Sequence, residues 1–541
     1  LEHLLVKTKH TLLIADEISE EGRKLLDESM KVDYQPDITA DKLLSTIAEY
    51  DALLVRSRAK VTEAVIKAGK KLKVIGRAGV GVDNIDVNVA TECGIVVLNS
   101  PEGNTASAAE HTVALMMSLA RHIPSADQSV KKGNWERKKY VGSELFNKTL
   151  AVIGMGKVGG RVVQTSQALG MKVIVYDPFL TQERAAELKV QKVSLEELWS
   201  KADFITIHAP LTKETTKLIN QSTLSKMKRG VKIINAARGG IIDEADLAVA
   251  LESGQVGGAA IDVFENEPPT DSPLLKLNGN VILTPHLGAS THEAQFNVAI
   301  DLAEQIRDFL ITGIARSPVN LPSMRPEAVR ELGKYIWLAE AMGTIACELS
   351  DGKASQLQLV ATGELAVKEV APLVVAALKG LLSKRIDGVT YVNAQLVAKN
   401  HGIQVKTVKD ENSDQFEEEL SLFISDGTET TKLSGTILTH DQPLITSING
   451  HPINLYPVPL MLFTSHNDKP GVVAKVAGIL SKHDINISNM SLARVLVREN
   501  AVMVMGVDDP ISQPIVKELT EIPGIHKAHF VSLQSLGNIS C

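Results

Sequence analysis

Cysteine is nearly absent from this 541-residue chain: Cys93, Cys347 and Cys541 are its full complement. Three scattered thiols make neither a disulfide framework nor a zinc site, so a reducing compartment and no metal are expected. Aromatic residues are scarce as well, 4% against 44% hydrophobic residues overall. The apolar content therefore lies in Val, Ile, Leu and Ala, which buried parallel sheets prefer. No long basic stripe appears, and a net charge of −7 argues against a general nucleic-acid binder. No apolar run reaches membrane-spanning length, and no signal peptide opens the chain. A cytoplasmic location is expected, or an organelle stroma if a transit segment has been removed ahead of Leu1. Solenoid repeats and low-complexity tracts are missing too, and Glu417-Glu418-Glu419 reads as a solvated face.

What is present is α/β rhythm, at a length that calls for three or four domains. Residues 12–15, 52–56, 74–77 and 95–99 are strand candidates separated by helical patterns. A long helix is expected from Asn104-Thr105 to before Pro124. From Thr149 a more regular alternation begins, with strands at 150–154, 172–177, 204–208, 231–236, 258–262 and 281–284. Six strands with helices between them match a doubly wound sheet. A helix over 291–311 is expected to return to the first lobe, which makes that lobe discontinuous. Pro318, Pro322 and Pro326 mark a linker. The last segment, from about residue 458, reads β-α-β-β-α-β, the ferredoxin-like order.

Gly154-Met-Gly-Lys-Val-Gly159 follows an apolar strand and opens a helix. Gly154 permits the tight turn, Gly156 lets backbone approach a pyrophosphate, and Gly159 allows close helix–sheet packing. The helix N-terminus adds free N–H groups and positive dipole charge. Asp177 ends the next strand, 18 residues past Gly159. A carboxylate there accepts ribose hydroxyls and repels a 2′-phosphate, which favours NAD over NADP.

Arg238 (in Asn235-Ala-Ala-Arg-Gly-Gly) and His286 (in Thr284-Pro-His-Leu-Gly-Ala) both fall just past strand ends, where a ligand crevice forms. Glu267 lies on the connection before the last of these strands. Guanidinium grips a carboxylate bidentately and polarises the adjacent carbonyl. A carboxylate within reach of one imidazole nitrogen fixes its tautomer, leaving the other to accept a hydroxyl proton. Singly, each residue has an ordinary structural reading, such as a surface ion pair or a buried histidine. Together, in this order, they suit hydride transfer at a hydroxyl carbon.

These blocks, with Asp262-Val-Phe-Glu-Asn-Glu-Pro, resemble the D-isomer-specific 2-hydroxyacid dehydrogenases, and the resemblance spans essentially the whole chain. It implies a Rossmann-like NAD-binding domain over 103–292. This would be inserted in a flavodoxin-like substrate domain of residues 1–102 and 293–321. An intervening α+β domain would follow over 322–456, and a regulatory ACT domain over 457–541. Arg238, Glu267 and His286 become the catalytic arginine and Glu–His dyad. Lys157 and Val158 would meet the pyrophosphate, Asp177 the ribose and Asp262 the nicotinamide end. Ala209, Pro210, Ala236, Ala237 and Gly288 complete the cofactor site.

Among substrates, a phosphoglycerate carries two anionic groups where plain 2-hydroxy acids carry one. Arg238 with the N–H groups around Gly79-Val80 can hold the carboxylate. Arg56 and Arg77 are then left for a phosphate; the resemblance adds Ser57 and Asn104 to them, and Arg137 from a neighbouring subunit, although the ordinary reading of Arg137 is a solvated basic turn. Val80 departs from the threonine of some relatives and removes a side-chain hydroxyl. The resemblance thus implies oxidation of 3-phosphoglycerate by a homo-oligomer, dimer or tetramer. His466-Asn-Asp-Lys-Pro-Gly471 and His483-Asp-Ile-Asn-Ile-Ser-Asn489 resemble an ACT domain that senses L-serine through His466, Asp468 and Asn486. Here Pro470 is expected to open a helix with Asp468 near its N-cap. Asp468 stands where some relatives have asparagine, and a dimerisation domain without effector is the plainer alternative. Two readings of the whole remain: a glyoxylate or hydroxypyruvate reductase, and a non-catalytic NAD-sensing scaffold.

Overall fold

The computed structural model describes residues 10–277, 279–313, 315–321, 326–412, 416–438, 442–496 and 498–536. Pro322 of the expected linker and Cys541 lie outside them.

Five parallel strands form the first sheet: β1 (Thr11–Ile14), β2 (Lys31–Tyr34), β3 (Ala52–Val55), β4 (Val74–Arg77) and β5 (Val96–Asn99). Their order is β2-β1-β3-β4-β5. Four carry the apolar runs read from the sequence. The additional one, β2, is an edge strand with no fully buried residue, so no apolar run announces it.

The second sheet holds β6 (Thr149–Ile153), β7 (Lys172–Tyr176), β8 (Gln191–Lys192), β9 (Phe204–Ile207), β10 (Val231–Asn235), β11 (Val256–Ile261) and β12 (Val281–Leu283). All are parallel, in the order β12-β11-β10-β9-β6-β7-β8. The expected count of six is corrected to seven, because the two-residue edge strand β8 is too short to leave a pattern. Strand order reverses beside β6, the place where such sheets open a ligand crevice at their carboxyl ends.

Two helices join the lobes. Thr105–Arg121 leads into the second sheet, and His292–Thr312 leads back onto the first. The returning helix starts at Thr291, whose side chain accepts the Ala294 N–H, and stops at left-handed Gly313. Close packing sets its seat: a Cβ on Gly76 would come within 2.6 Å of Ile306, and one on Gly22 within 2.8 Å of Ala299.

The third sheet is mixed: β13 (Gln356–Gly363), β14 (Gln404–Asp410), β15 (Glu418–Ser425), β16 (Thr430–Leu438), β17 (Gln442–Ile448) and β18 (His451–Leu455), in the order β14-β13-β15-β16-β17-β18. The fourth is antiparallel: β19 (Leu460–Asn467), β20 (Ile487–Arg494), β21 (Asn500–Val507) and β22 (Ile525–Ser532), in the order β20-β21-β19-β22. Its helices cover Val472–Lys482 and Gln513–Thr520, the ferredoxin-like order expected. One local expectation fails there. The first helix begins after left-handed Gly471 with no side-chain cap, and Asp468 turns instead to Arg494. Strand β19 alternates between two cores. Met461 and Phe463 pack with Leu338, Met342 and Ile345 of the Pro326–Leu349 helix, whereas Leu460 and Leu462 pack with Val476, Leu480 and Leu519.

Candidate active site

A cleft of about 630 Å³ opens at the carboxyl ends of both parallel sheets. Arg238, Glu267 and His286 all line it, with Arg56, Ser57, Arg77 and Val80 facing them from the first lobe and Asn104 from the start of the connecting helix. The His286 Nδ1 lies 2.8 Å from Glu267 Oε2, and Glu267 Oε1 accepts the Phe264 N–H at 3.1 Å. Both carboxylate oxygens are thus committed, which aims the imidazole and leaves Nε2 for a ligand. Desolvation pushes Glu267 up, but the hydrogen bond and charge of His286 and the Phe264 N–H outweigh it, so its carboxyl sits below the ordinary value.

Arg238 is presented by a loop that Asn235 folds. The buried Asn235 amide donates to Arg238 O at 2.9 Å and accepts the Ala237 N–H at 3.1 Å. Gly239 is obligatory, since a Cβ would sit 1.7 Å from Phe264 O. The Arg238 guanidinium meets Asp83 at 3.2 Å.

On the facing lobe, buried Asp16 accepts the Arg56 N–H at 2.6 Å and the Ala59 N–H at 3.2 Å, ordering the loop that carries Arg56 and Ser57. Gly79 stands at φ 149°, and a Cβ there would collide with Arg77 Nη1 at 1.7 Å. Arg77 itself is largely enclosed, and its Nε is buried without a hydrogen-bond partner. Burial, with Arg238 nearby, holds its guanidinium down to about 10, only partly offset by Asp83 and Asp16. Buried Oδ1 of Asn104 is likewise unpartnered. The guanidinium kept in this state is suited to an incoming anion, and the Asn104 oxygen to a hydroxyl donor on the same ligand. Arg137 lies on an exposed turn and is not among the residues lining this cleft.

The nucleotide side fits NAD on its backbone. Gly154 adopts φ 95°, and its Cβ would strike His208 O at 2.5 Å; a Cβ on Gly159 would strike Gly154 O at 2.2 Å. Gly156 faces open space, and the Lys157–Ala168 helix behind it has no side-chain cap, so its first N–H groups stay available. Asp177 accepts the Met155 N–H at 2.7 Å and the Phe179 N–H at 2.7 Å, which brings its carboxylate to the glycine turn. Lys157 pairs with Glu102 across the hinge. Val158, Ala209, Pro210, Ala236, Ala237 and Gly288 line the cleft. Asp262 does not: it is fully buried beneath the His286 turn.

Sequence reasoning missed Asp83, Asp16, His208 and His111. Asp83 left a usable signal, an acid inside the glycine-rich loop that follows the site arginine Arg77. The others are single polar residues in apolar surroundings, visible only once packed. The expected effector residues are not gathered within one chain. Asp468, bonded to Arg494 at 2.8 Å and to the Arg498 N–H at 3.1 Å, lies beside His466 where β21 begins. Asn486, bonded to Asp508 at 2.7 Å, lies where β21 ends.

Fold and site together define a dehydrogenase of the NAD-dependent 2-hydroxyacid class. Residues 113–288 match the D-isomer specific 2-hydroxyacid dehydrogenase NAD-binding domain, 331–449 the D-3-phosphoglycerate dehydrogenase intervening domain, and 462–527 an AHAS small subunit-like ACT domain. D-3-phosphoglycerate dehydrogenase of Synechocystis is 47% identical, over 97% of this chain and 95% of its own length. That of Archaeoglobus fulgidus is 41% identical, over 96% and 100%. The D-lactate dehydrogenase of Aquifex aeolicus, solved with NAD and lactic acid, is 30% identical with a TM-score of 0.52, over 58% of this chain and all of its own. The chain belongs to the D-3-phosphoglycerate dehydrogenase family and is an NAD-dependent oxidoreductase. Among the described residues no helix is long and apolar enough to cross a membrane.

Proposed function

We propose that this enzyme oxidises 3-phosphoglycerate to 3-phosphohydroxypyruvate, the step that opens serine synthesis from glycolysis. One observation carries the substrate choice: Arg77, half-buried in the cleft with a buried, unpartnered Nε, facing Arg238 across it. Arg238 takes the carboxylate and polarises C2, with the N–H groups of Gly79 and Val80 beside it. Arg56, Ser57, Arg77 and Asn104 take the phosphate, and Arg137 adds a cation from a second copy. The C2 hydroxyl proton passes to Nε2 of His286 while Glu267 stabilises the imidazolium at Nδ1. Bound NAD supplies the hydride acceptor, its pyrophosphate over Gly156, Lys157 and Val158 and its ribose on Asp177.

L-serine is the effector. Asp468 and Asn486 stand at opposite ends of the eight-residue strand β21, about 24 Å of strand apart. A pocket using both is completed by a second chain lying antiparallel alongside, which supports a homo-oligomer, dimer or tetramer. The compartment is the cytoplasm.

The test is NADH formation with 3-phosphoglycerate, glycerate and lactate compared directly, with and without serine. Strong preference for the phosphorylated acid is expected. Equal rates on all three would retire the substrate assignment, and a serine-insensitive wild type the effector.

A further inference from the structure

Asp262, the residue just after β11, is fully buried and ties down the catalytic turn. Its main-chain oxygen accepts the His286 N–H at 2.9 Å. Its Oδ1 accepts the Leu287 N–H at 2.8 Å and the Thr284 hydroxyl at 2.6 Å, and its Oδ2 the Gly288 N–H at 3.0 Å. His286 itself stands at φ 53°, left-handed and costly for a residue with a Cβ. Such a conformation persists only where its surroundings over-determine it. Here most of the side-chain contribution comes from one carboxylate.

That carboxylate needs a partner of its own, because a buried charge is tolerated only when paired and hydrogen-bonded. The partner is His111, whose Nε2 lies 3.2 Å from Asp262 Oδ1 and 3.5 Å from Thr284 Oγ1. His111 belongs to the Thr105–Arg121 helix, and one turn earlier on the same face Ser107 donates to Gly288 O at 2.8 Å. The helix therefore holds Gly288 from both sides, its N–H through His111 and Asp262, its carbonyl through Ser107. The same helix begins at Asn104, whose unpartnered oxygen belongs to the facing half of the cleft. We infer that His111 is a positioning residue: acting through Asp262, it fixes the left-handed turn that presents His286 and keeps that turn in register with the substrate end of the helix. The inference rests on His286 being the proton acceptor proposed above.

His111→Leu removes the bond, and His111→Gln keeps a nitrogen able to donate to Asp262. In the cofactor-free protein, hydrogen exchange over residues 286–288 should quicken at least tenfold in His111→Leu. NADH binding, read by fluorescence, should weaken and kcat fall at least tenfold, with the KM for the acid within threefold of wild type. His111→Gln should recover all three to within about threefold. Unchanged exchange in His111→Leu overturns the proposal. So does a His111→Gln protein as impaired as His111→Leu while melting like wild type. If His111→Leu does not fold, Ser107→Ala reads the same grip from the carbonyl side, and unaltered exchange there also sinks it. Failure of the substrate assignment would look different: no NADH from 3-phosphoglycerate in wild type, with the exchange difference between variants intact.

Discussion

Arg77 and Asp83 make opposite demands on the same anion. An enclosed guanidinium with an unpartnered Nε favours a bound phosphate, whereas Asp83, 3.2 Å from Arg238, already holds the cation meant for the carboxylate. Arg77→Ala should therefore cost a phosphorylated substrate on the order of 2–4 kcal/mol in kcat/KM, the scale of a lost buried charge-assisted contact. It should cost the unphosphorylated acid much less; equal losses would remove the phosphate role. Thermal midpoint gives a second reading: inorganic phosphate should stabilise wild type and leave Arg77→Ala unmoved. Asp83→Asn should lower the KM for the acid severalfold, because the incoming carboxylate no longer displaces one already in place. A raised KM would show Asp83 to be needed for holding Arg238 in position. Arg56, Arg77, Arg238, His286 and the glycine turn were legible because each sits at or just past a strand end in a short motif, and Glu267 because its block lies on the connection between two such strands. Asp16 and His111 were not, since nothing in a linear pattern distinguishes a polar residue facing solvent from one buried against a loop.

Strands β6 to β12 show how far apolar runs predict elements. Every strand with both faces covered was found within two residues of its ends, while the edge strands β2 and β8 were missed. Strand β9 ends against His208, which burial pushes down to about 4. The unfolded chain takes up that proton near pH 6.5. Between those values the unfolded state binds a proton that the folded state refuses, so stability is full above about pH 6.5 and declines as pH falls, levelling off near 4. The loss is on the order of 3 kcal/mol. Urea midpoints measured from pH 4 to 7 should follow this slope, and His208→Asn should flatten part of it. An unchanged slope would mean that His208 keeps its charge in the fold.

Across the whole molecule, the ferredoxin-like order of the tail was readable, but its attachment was not. The continuous apolar run Leu460-Met-Leu-Phe463 of β19 is compatible with burial on both faces but does not say what lies against the second one. Phe463 is 2% exposed in the core shared with the Pro326–Leu349 helix, so Phe463→Ala should cost about 3–5 kcal/mol. Calorimetry should show the third and fourth sheets melting together in wild type and separately in this variant. The serine pocket proposed above makes an oligomer-level prediction: Asp468→Ala and Asn486→Ala chains, each serine-insensitive alone, should regain one intact pocket per pair when mixed and reassociated. Mixed assemblies no more sensitive than their parents would refute a pocket shared between chains.

Because Met461 and Phe463 lie beneath a helix that belongs to the preceding module, the ACT domain is not a detachable accessory. A stop codon placed before β19 would bare the apolar flank of that helix to water. The shortened enzyme should clump or be degraded rather than remain as a folded catalytic fragment, so the role of the tail is read more cleanly from single substitutions than from amputation.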